Sequence, residues 1–137
     1  MMRVLIVAGI AGCIAGLGGC GDATAANGDR PGTATVSLVS SNLDDGAISF
    51  TVHGPGLSTA AALDPSHQVF TRLASTTELK VIVLGDSIGP GPLFTLRVGA
   101  SNRPSAYVVS IEQVALRSDS LRADISGYQA TLATAAN

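Results

Sequence analysis

Apolar and polar residues alternate along much of the chain, and the alternation begins at residue 33. Ala34, Val36 and Leu38 alternate with small polar residues, as expected for a strand with one buried face. Residues 48–53 repeat the pattern after a polar turn at residues 40–46. Further apolar or alternating segments predict strands near 68–73, 79–84, 93–98, 106–116 and 127–132.

The connections between these segments are rich in Gly and Pro, notably at residues 54–56, 85–92 and 99–105. In the looser stretch that follows residue 56, Ala60–Ala62 is predicted to form a helical turn. No segment has apolar residues at helical spacing over a length that a core helix needs. About seven strands or more predict an all-β fold, a single β-sandwich of jelly-roll or immunoglobulin-like type in residues 33–137.

Three of the segments together resemble the strand succession of cohesin-like modules. They read GAISFTV at 46–52, GPGPLFTLRV at 89–98 and YVVSI at 107–111. The resemblance spans most of residues 33–132 and implies a jelly-roll-like sandwich that serves in binding. No residue that contacts a partner can be transferred from it to this chain.

The N-terminus resembles a bacterial lipoprotein signal. Arg3 precedes an uncharged apolar run at residues 4–19, which ends in Leu17-Gly18-Gly19-Cys20. This order matches a lipobox, in which an apolar residue and two small residues precede the lipidated cysteine. We therefore expect a cleaved signal peptide at 1–19, a lipidated Cys20, and a flexible tether at 20–32.

Two alternatives to this assignment stay open. Ile10-Ala11-Gly12-Cys13 also fits a lipobox, but it would leave a very short signal before Cys13. The run 4–19 could instead remain as a membrane span, although spans need about 20 residues. Under the sorting rule of enteric bacteria, Gly21 after the lipidated cysteine favours the outer membrane, with a periplasmic or surface-facing domain.

Composition narrows the possible partners. Charged residues make up 13% of the chain, and its net charge is −2. No basic stripe is available to meet phosphates, so we expect no nucleic-acid partner. Both cysteines lie in the first 20 residues, so the predicted domain has neither a disulfide nor thiol chemistry.

The segment VIVLGDSIG at 81–89 resembles the first block of GDSL-type esterases, in which Ser87 would be the nucleophile. A nucleophilic serine needs a base, and in that family the histidine follows near the C-terminus. Both histidines of this chain precede Ser87. A nucleophile elbow also needs a helix after the serine, which Pro90 and Pro92 disfavour. We interpret the motif as a strand end followed by a turn.

Other polar clusters give weaker signals. Asp44-Asp45-Gly46 fits a calcium loop, but a hairpin turn uses the same residues. His53 and His67 lack a third ligand at metal-site spacing, so no metal and no cofactor are expected, and His53 is assigned to the solvent face of its strand. The charged residues between 117 and 124 are expected to form a solvated loop, namely Arg117, Asp119, Arg122 and Asp124.

The sequence thus predicts a lipid-anchored envelope lipoprotein with a non-catalytic binding or structural domain, whose protein or glycan partner is open. The alternative is a surface adhesion or carbohydrate-binding module, for which exposed rings at Tyr107 or Tyr128 would be diagnostic. A Ser87-dependent esterase is the third hypothesis.

Overall fold

A computed structural model describes residues 28–135, which form a β-sandwich of two four-stranded antiparallel sheets. The all-β class predicted from the alternation is confirmed. One sheet has the order β3-β6-β1-β8 and the other β4-β5-β2-β7. The strands are β1 (Gly32–Val39), β2 (Asp45–His53), β3 (Ala60–Ala62), β4 (Gln68–Ser75), β5 (Glu78–Ile88), β6 (Gly91–Val98), β7 (Val108–Leu116) and β8 (Gln129–Thr134).

The core lies between the inner faces of the two sheets, where the apolar members of each alternation are buried. In β1 these are Ala34, Val36 and Leu38, as their period of two requires. Phe50 of β2 and Phe94 of β6 join the sheets by an edge-to-face contact with ring centroids 5.4 Å apart. Because the described residues contain no cysteine, this packing stabilises the domain without covalent links.

Two predicted connections are strands instead. Ala60–Ala62 was expected to form a helical turn, but it pairs with β6 as β3. The backbone bonds from Arg97 N–H to Thr59 O and from Leu63 N–H to Leu93 O hold the segment extended. The chemical character of three alanines does not reveal this pairing, because alanine favours helix when no neighbouring strand competes.

Residues 85–88 were predicted to begin a loop, but β5 continues through them to Ile88. Ile88 is fully buried and pairs with Asp45, at a register shift in β2 between Asp45 and Ala47. Position 85 favours glycine, because a Cβ atom there would clash with the His67 ring at 2.5 Å. Burial of Ile88 thus extends the strand past the Gly-Asp-Ser segment.

Tyr107 closes one end of the sandwich from the start of β7, just after a short 3-10 turn at Pro104–Ala106. Its hydroxyl accepts a bond from the Ala100 N–H and donates one to the Pro55 carbonyl, each at 2.8 Å. The tyrosine therefore satisfies two backbone groups from two different loops.

Tyr107→Phe is expected to lower the free energy of unfolding by about 1–3 kcal/mol, because it leaves the buried Ala100 N–H without a partner. Val108→Ala, at the adjacent exposed residue, should change it by less than about 0.5 kcal/mol. Urea unfolding of the two variants measures both values. Equal effects would contradict the bridging role of the hydroxyl.

Candidate functional site

A carboxylate with no exposed surface lies where the chain crosses from one sheet to the other. Asp45 begins β2 and is 0% exposed. Arg122 Nε donates to its Oδ1 at 2.7 Å, and the Tyr128 hydroxyl donates to its Oδ2 at 2.7 Å. Both donors come from the long connection between β7 and β8, so the carboxylate binds that connection to the start of β2.

Neighbouring polar groups complete this cluster. The Asn42 side-chain amide donates to the Tyr128 hydroxyl at 2.8 Å, and Arg122 forms a second ion pair with Asp44. The Arg122 guanidinium also lies 5.8 Å from the centroid of the Tyr128 ring, a cation–π distance. We call these five residues the Asp45 cluster.

The Asp45 cluster corrects two predictions from the sequence. Asp44-Asp45-Gly46 is not a hairpin turn, because β1 and β2 belong to different sheets. Arg122 is not a solvated loop residue, because it pairs with the buried Asp45. The sequence gives no signal for either contact, since the partners of Asp45 lie 77 and 83 positions away.

The cluster shifts the titration of its own members. Hydrogen bonding to Asp45 raises the pKa of Arg122 above its ordinary value. Burial, followed by the hydrogen bond to the Asp45 carboxylate, raises the pKa of Tyr128. Both shifts favour the forms that bind Asp45, namely a charged arginine and a neutral tyrosine. The arrangement therefore stabilises the fold, and both Asp45 carboxylate oxygens are bonded to groups within the domain.

Ser87 lies near the end of β5, and its hydroxyl donates to the Leu43 carbonyl at 2.6 Å. No histidine hydrogen-bonds to it within residues 28–135. The proton of a nucleophilic serine must pass to a base, and a backbone carbonyl cannot accept it in that role. The geometry at Ser87 is that of a residue holding a loop to a strand.

The two histidines occupy separate places. His53 is exposed at the end of β2, as its assignment to the solvent face of its strand predicted. His67 precedes β4 and packs on Gly85, and its buried Nδ1 atom has no hydrogen-bond partner. Across the described part of the chain, no group of three or more His, Cys, Asp or Glu side chains could hold a metal ion.

The tyrosines that would be diagnostic of a glycan-binding module are buried. Tyr107 is 7% exposed and Tyr128 is 8% exposed, and both hydroxyls are bonded within the domain. Phe50 and Phe94 lie in the core. Among residues 28–135, Phe70 is the one exposed aromatic side chain.

Exposed apolar side chains gather on the outward face of the β4-β5-β2-β7 sheet, which we call the open face. Phe70 lies opposite Ile82 in β5, and Ile82 lies opposite Ser49 in β2. Two residues further along β5, on the same face, Leu84 lies opposite Gln68 and Ala47. The large apolar residues thus lie together on β4 and β5, next to the outward-facing Gln68, Arg72 and Lys80, and small residues lie beside them on β2.

A cleft of about 580 Å³ continues the open face toward one end of the sheet. Its lining includes the apolar Ala47, Leu84 and Ala115 and the charged Asp86 and Arg117. Asp119, with a positive φ of 63°, also lines it. The cleft adjoins the open face, because Leu84 and Gln68 belong to both.

Cys13 and Cys20 lie outside the described residues, as do the predicted signal peptide and most of the predicted tether. The chain enters the domain at Asp29, which forms an ion pair with Arg103. Ser101 N–H donates to the Arg30 carbonyl at 2.7 Å and fastens this entry to the loop before β7. No helix within residues 28–135 is both long and apolar enough to cross a membrane.

No known protein family, curated protein or solved structure matches the chain.

Asp45→Asn is expected to lower the free energy of unfolding by about 2–3 kcal/mol, because it removes the charge that Arg122 and Tyr128 bind. Asp44→Asn is the matched control, since Asp44 is exposed and its ion pair contributes less than about 1 kcal/mol. Urea unfolding at pH 7 measures both variants. An equal loss in the two would refute the role assigned to the buried carboxylate.

The raised pKa of Tyr128 predicts a loss of stability in alkali. The folded pKa lies above the unfolded value, so the contribution is complete below about pH 10 and disappears as the pH rises through the folded pKa. Tyr128→Phe removes this titration. The difference in unfolding free energy between wild type and Tyr128→Phe should therefore narrow above about pH 10, whereas a constant difference would count against the assignment.

Proposed function

We propose that this chain is a lipid-anchored lipoprotein of the bacterial cell envelope, with a β-sandwich that acts as a non-catalytic binding or structural domain. The lipid anchor would be attached at Cys20 after removal of residues 1–19. The domain would then reach its partners from the membrane surface, at the end of the segment that precedes β1.

The anchor is supported by the order Leu17-Gly18-Gly19-Cys20 after an apolar run. Lipid attachment at the cysteine supplies two or three acyl chains, and two or more chains anchor a protein stably. Cys20 precedes Asp29 by nine positions, and Asp29 and Arg30 are held on the loop before β7, so an anchor at Cys20 would lie near this end of the domain along the chain.

The observation that carries the binding role is the open face. Phe70 and Ile82 are 54% and 44% exposed and lie side by side on β4 and β5. Exposed apolar side chains that gather on one face are typical of interaction surfaces, whereas isolated ones are ordinary. The alternating pattern would have placed polar residues at both positions had this face served only to meet water.

Two other functions find less support. The Ser87 hydroxyl is bonded to a backbone carbonyl rather than to a base, which argues against a serine hydrolase. Tyr107 and Tyr128 are buried, so they offer no ring for a sugar to stack on. A protein partner on the open face is therefore favoured over a glycan.

The intact mass of the protein extracted from membranes tests the anchor. We expect a mature chain that begins at Cys20 and carries added acyl mass. Cys20→Ala should abolish both processing and acylation, whereas Cys13→Ala, the matched control, should leave both unchanged. An unprocessed wild-type chain, or acylation at Cys13, would overturn the proposal.

A further inference from the structure

The edge strand β4 extends beyond the core and is exposed on both of its faces. Seven of its eight residues are exposed, and Val69 alone is half-buried. Leu73 lies opposite the buried Leu79 on the core side of the sheet, yet it is 51% exposed. Phe70 presents its ring on the outward side. Within residues 28–135, β4 pairs with β5 only.

The other edges of the two sheets are shorter than β4 or partly covered. β3 has three residues. The outer side of β7 is bonded at its C-terminal end by the connection that follows it, through Leu116 N–H to Ser120 O and Arg122 N–H to Val114 O, each at 2.8 Å. β8 lies alongside β7 at one seam between the sheets, and β3 lies beside β4 at the other without pairing to it. β4 lacks proline and carries one charge, Arg72, so it has few of the features that usually prevent an edge strand from pairing with another chain.

We infer that β4 is a dimerisation edge, on which the β4 strand of a second copy of this chain pairs in antiparallel orientation. The β4-β5-β2-β7 sheets of the two copies would then form one continuous sheet of eight strands. A twofold axis perpendicular to this sheet would pass between the two copies of Thr71. The inference does not depend on the lipid anchor, because every residue that carries it lies in the folded domain.

The sequence of β4 is complementary to itself in this register. Pairing about Thr71 uses seven of its eight positions, from Gln68 to Ala74. Val69 of one copy lies opposite Leu73 of the other on the core side, and apolar cross-strand pairs of this kind stabilise sheets. On the outward side Phe70 lies opposite Arg72, which places a guanidinium beside an aromatic ring twice by symmetry.

Charge argues for the same register. Pairing about Arg72 would set two arginines directly opposite each other, which is destabilising. Pairing about Thr71 avoids that contact and sets Thr71 opposite its own copy. A self-complementary surface of this kind is what a closed twofold dimer requires.

A single introduced cysteine tests the register. In the full chain with Cys13→Ser and Cys20→Ser, purified in mild detergent, the new thiol is the only one. Directly opposed residues in antiparallel strands have Cα atoms about 4.5–5.5 Å apart, within the range that a disulfide spans. Thr71→Cys should therefore give a disulfide-linked dimer on mild oxidation.

Gln68→Cys is the matched control, because the two copies of residue 68 would lie about 20 Å apart along the strands. It should stay monomeric on a non-reducing gel. A cross-link at Gln68→Cys, equal cross-linking of both variants, or none at Thr71→Cys would each overturn the inference.

A second pair of variants tests the dimer without introducing thiols. In the same cysteine-free chain, sedimentation should show twice the monomer mass. Leu73→Lys should reduce it to the monomer, because it sets a charge opposite Val69 of the partner. Leu121→Lys, at an exposed leucine beside the opposite edge of the sheet, should leave the dimer intact. A monomeric parent chain, or equal dissociation by both variants, would refute the inference.

Discussion

The buried carboxylate of Asp45 imposes a constraint that much of this domain satisfies. Removing a carboxylate from water is costly unless a cation and hydrogen-bond donors compensate it. Arg122 and Tyr128 supply them from the connection between β7 and β8, and the same connection covers the C-terminal end of the outer edge of β7. One polar requirement thus fixes how a long segment without regular structure lies against the sandwich.

The two edges of the β4-β5-β2-β7 sheet differ as a result. The C-terminal end of the β7 edge is bonded by the connection that Asp45 holds in place, whereas β4, with its exposed Phe70 and Leu73, pairs with β5 alone among the described residues. On the outward face, Phe70, Ile82 and Leu84 form a group on β4 and β5, whereas Val108 stands apart on β7. The β4 side of the domain therefore offers a partner both unpaired backbone groups and exposed apolar side chains.

The sequence predicted the fold class because alternation with a period of two is a local signal. Val36 and Phe50 are buried as their patterns require. Contacts between distant residues left no such signal, so Asp45 was assigned to a turn and Arg122 to a solvated loop. Ala60–Ala62 and residues 85–88 became strands because neighbouring strands and the burial of Ile88 outweighed local preference. The sequence did not predict the open face, because Phe70 and Ile82 become neighbours only through the pairing of β4 with β5, which local patterns do not specify.

Photo-cross-linking in cells that produce the full chain tests whether this domain meets its partner on the β4 side. A benzophenone amino acid would replace Phe70 in one variant and Leu121, beside the opposite edge, in another. Our account predicts a light-dependent adduct with the mass of two chains from position 70 and none from position 121. Adducts from position 121 alone, or none from position 70, would contradict it.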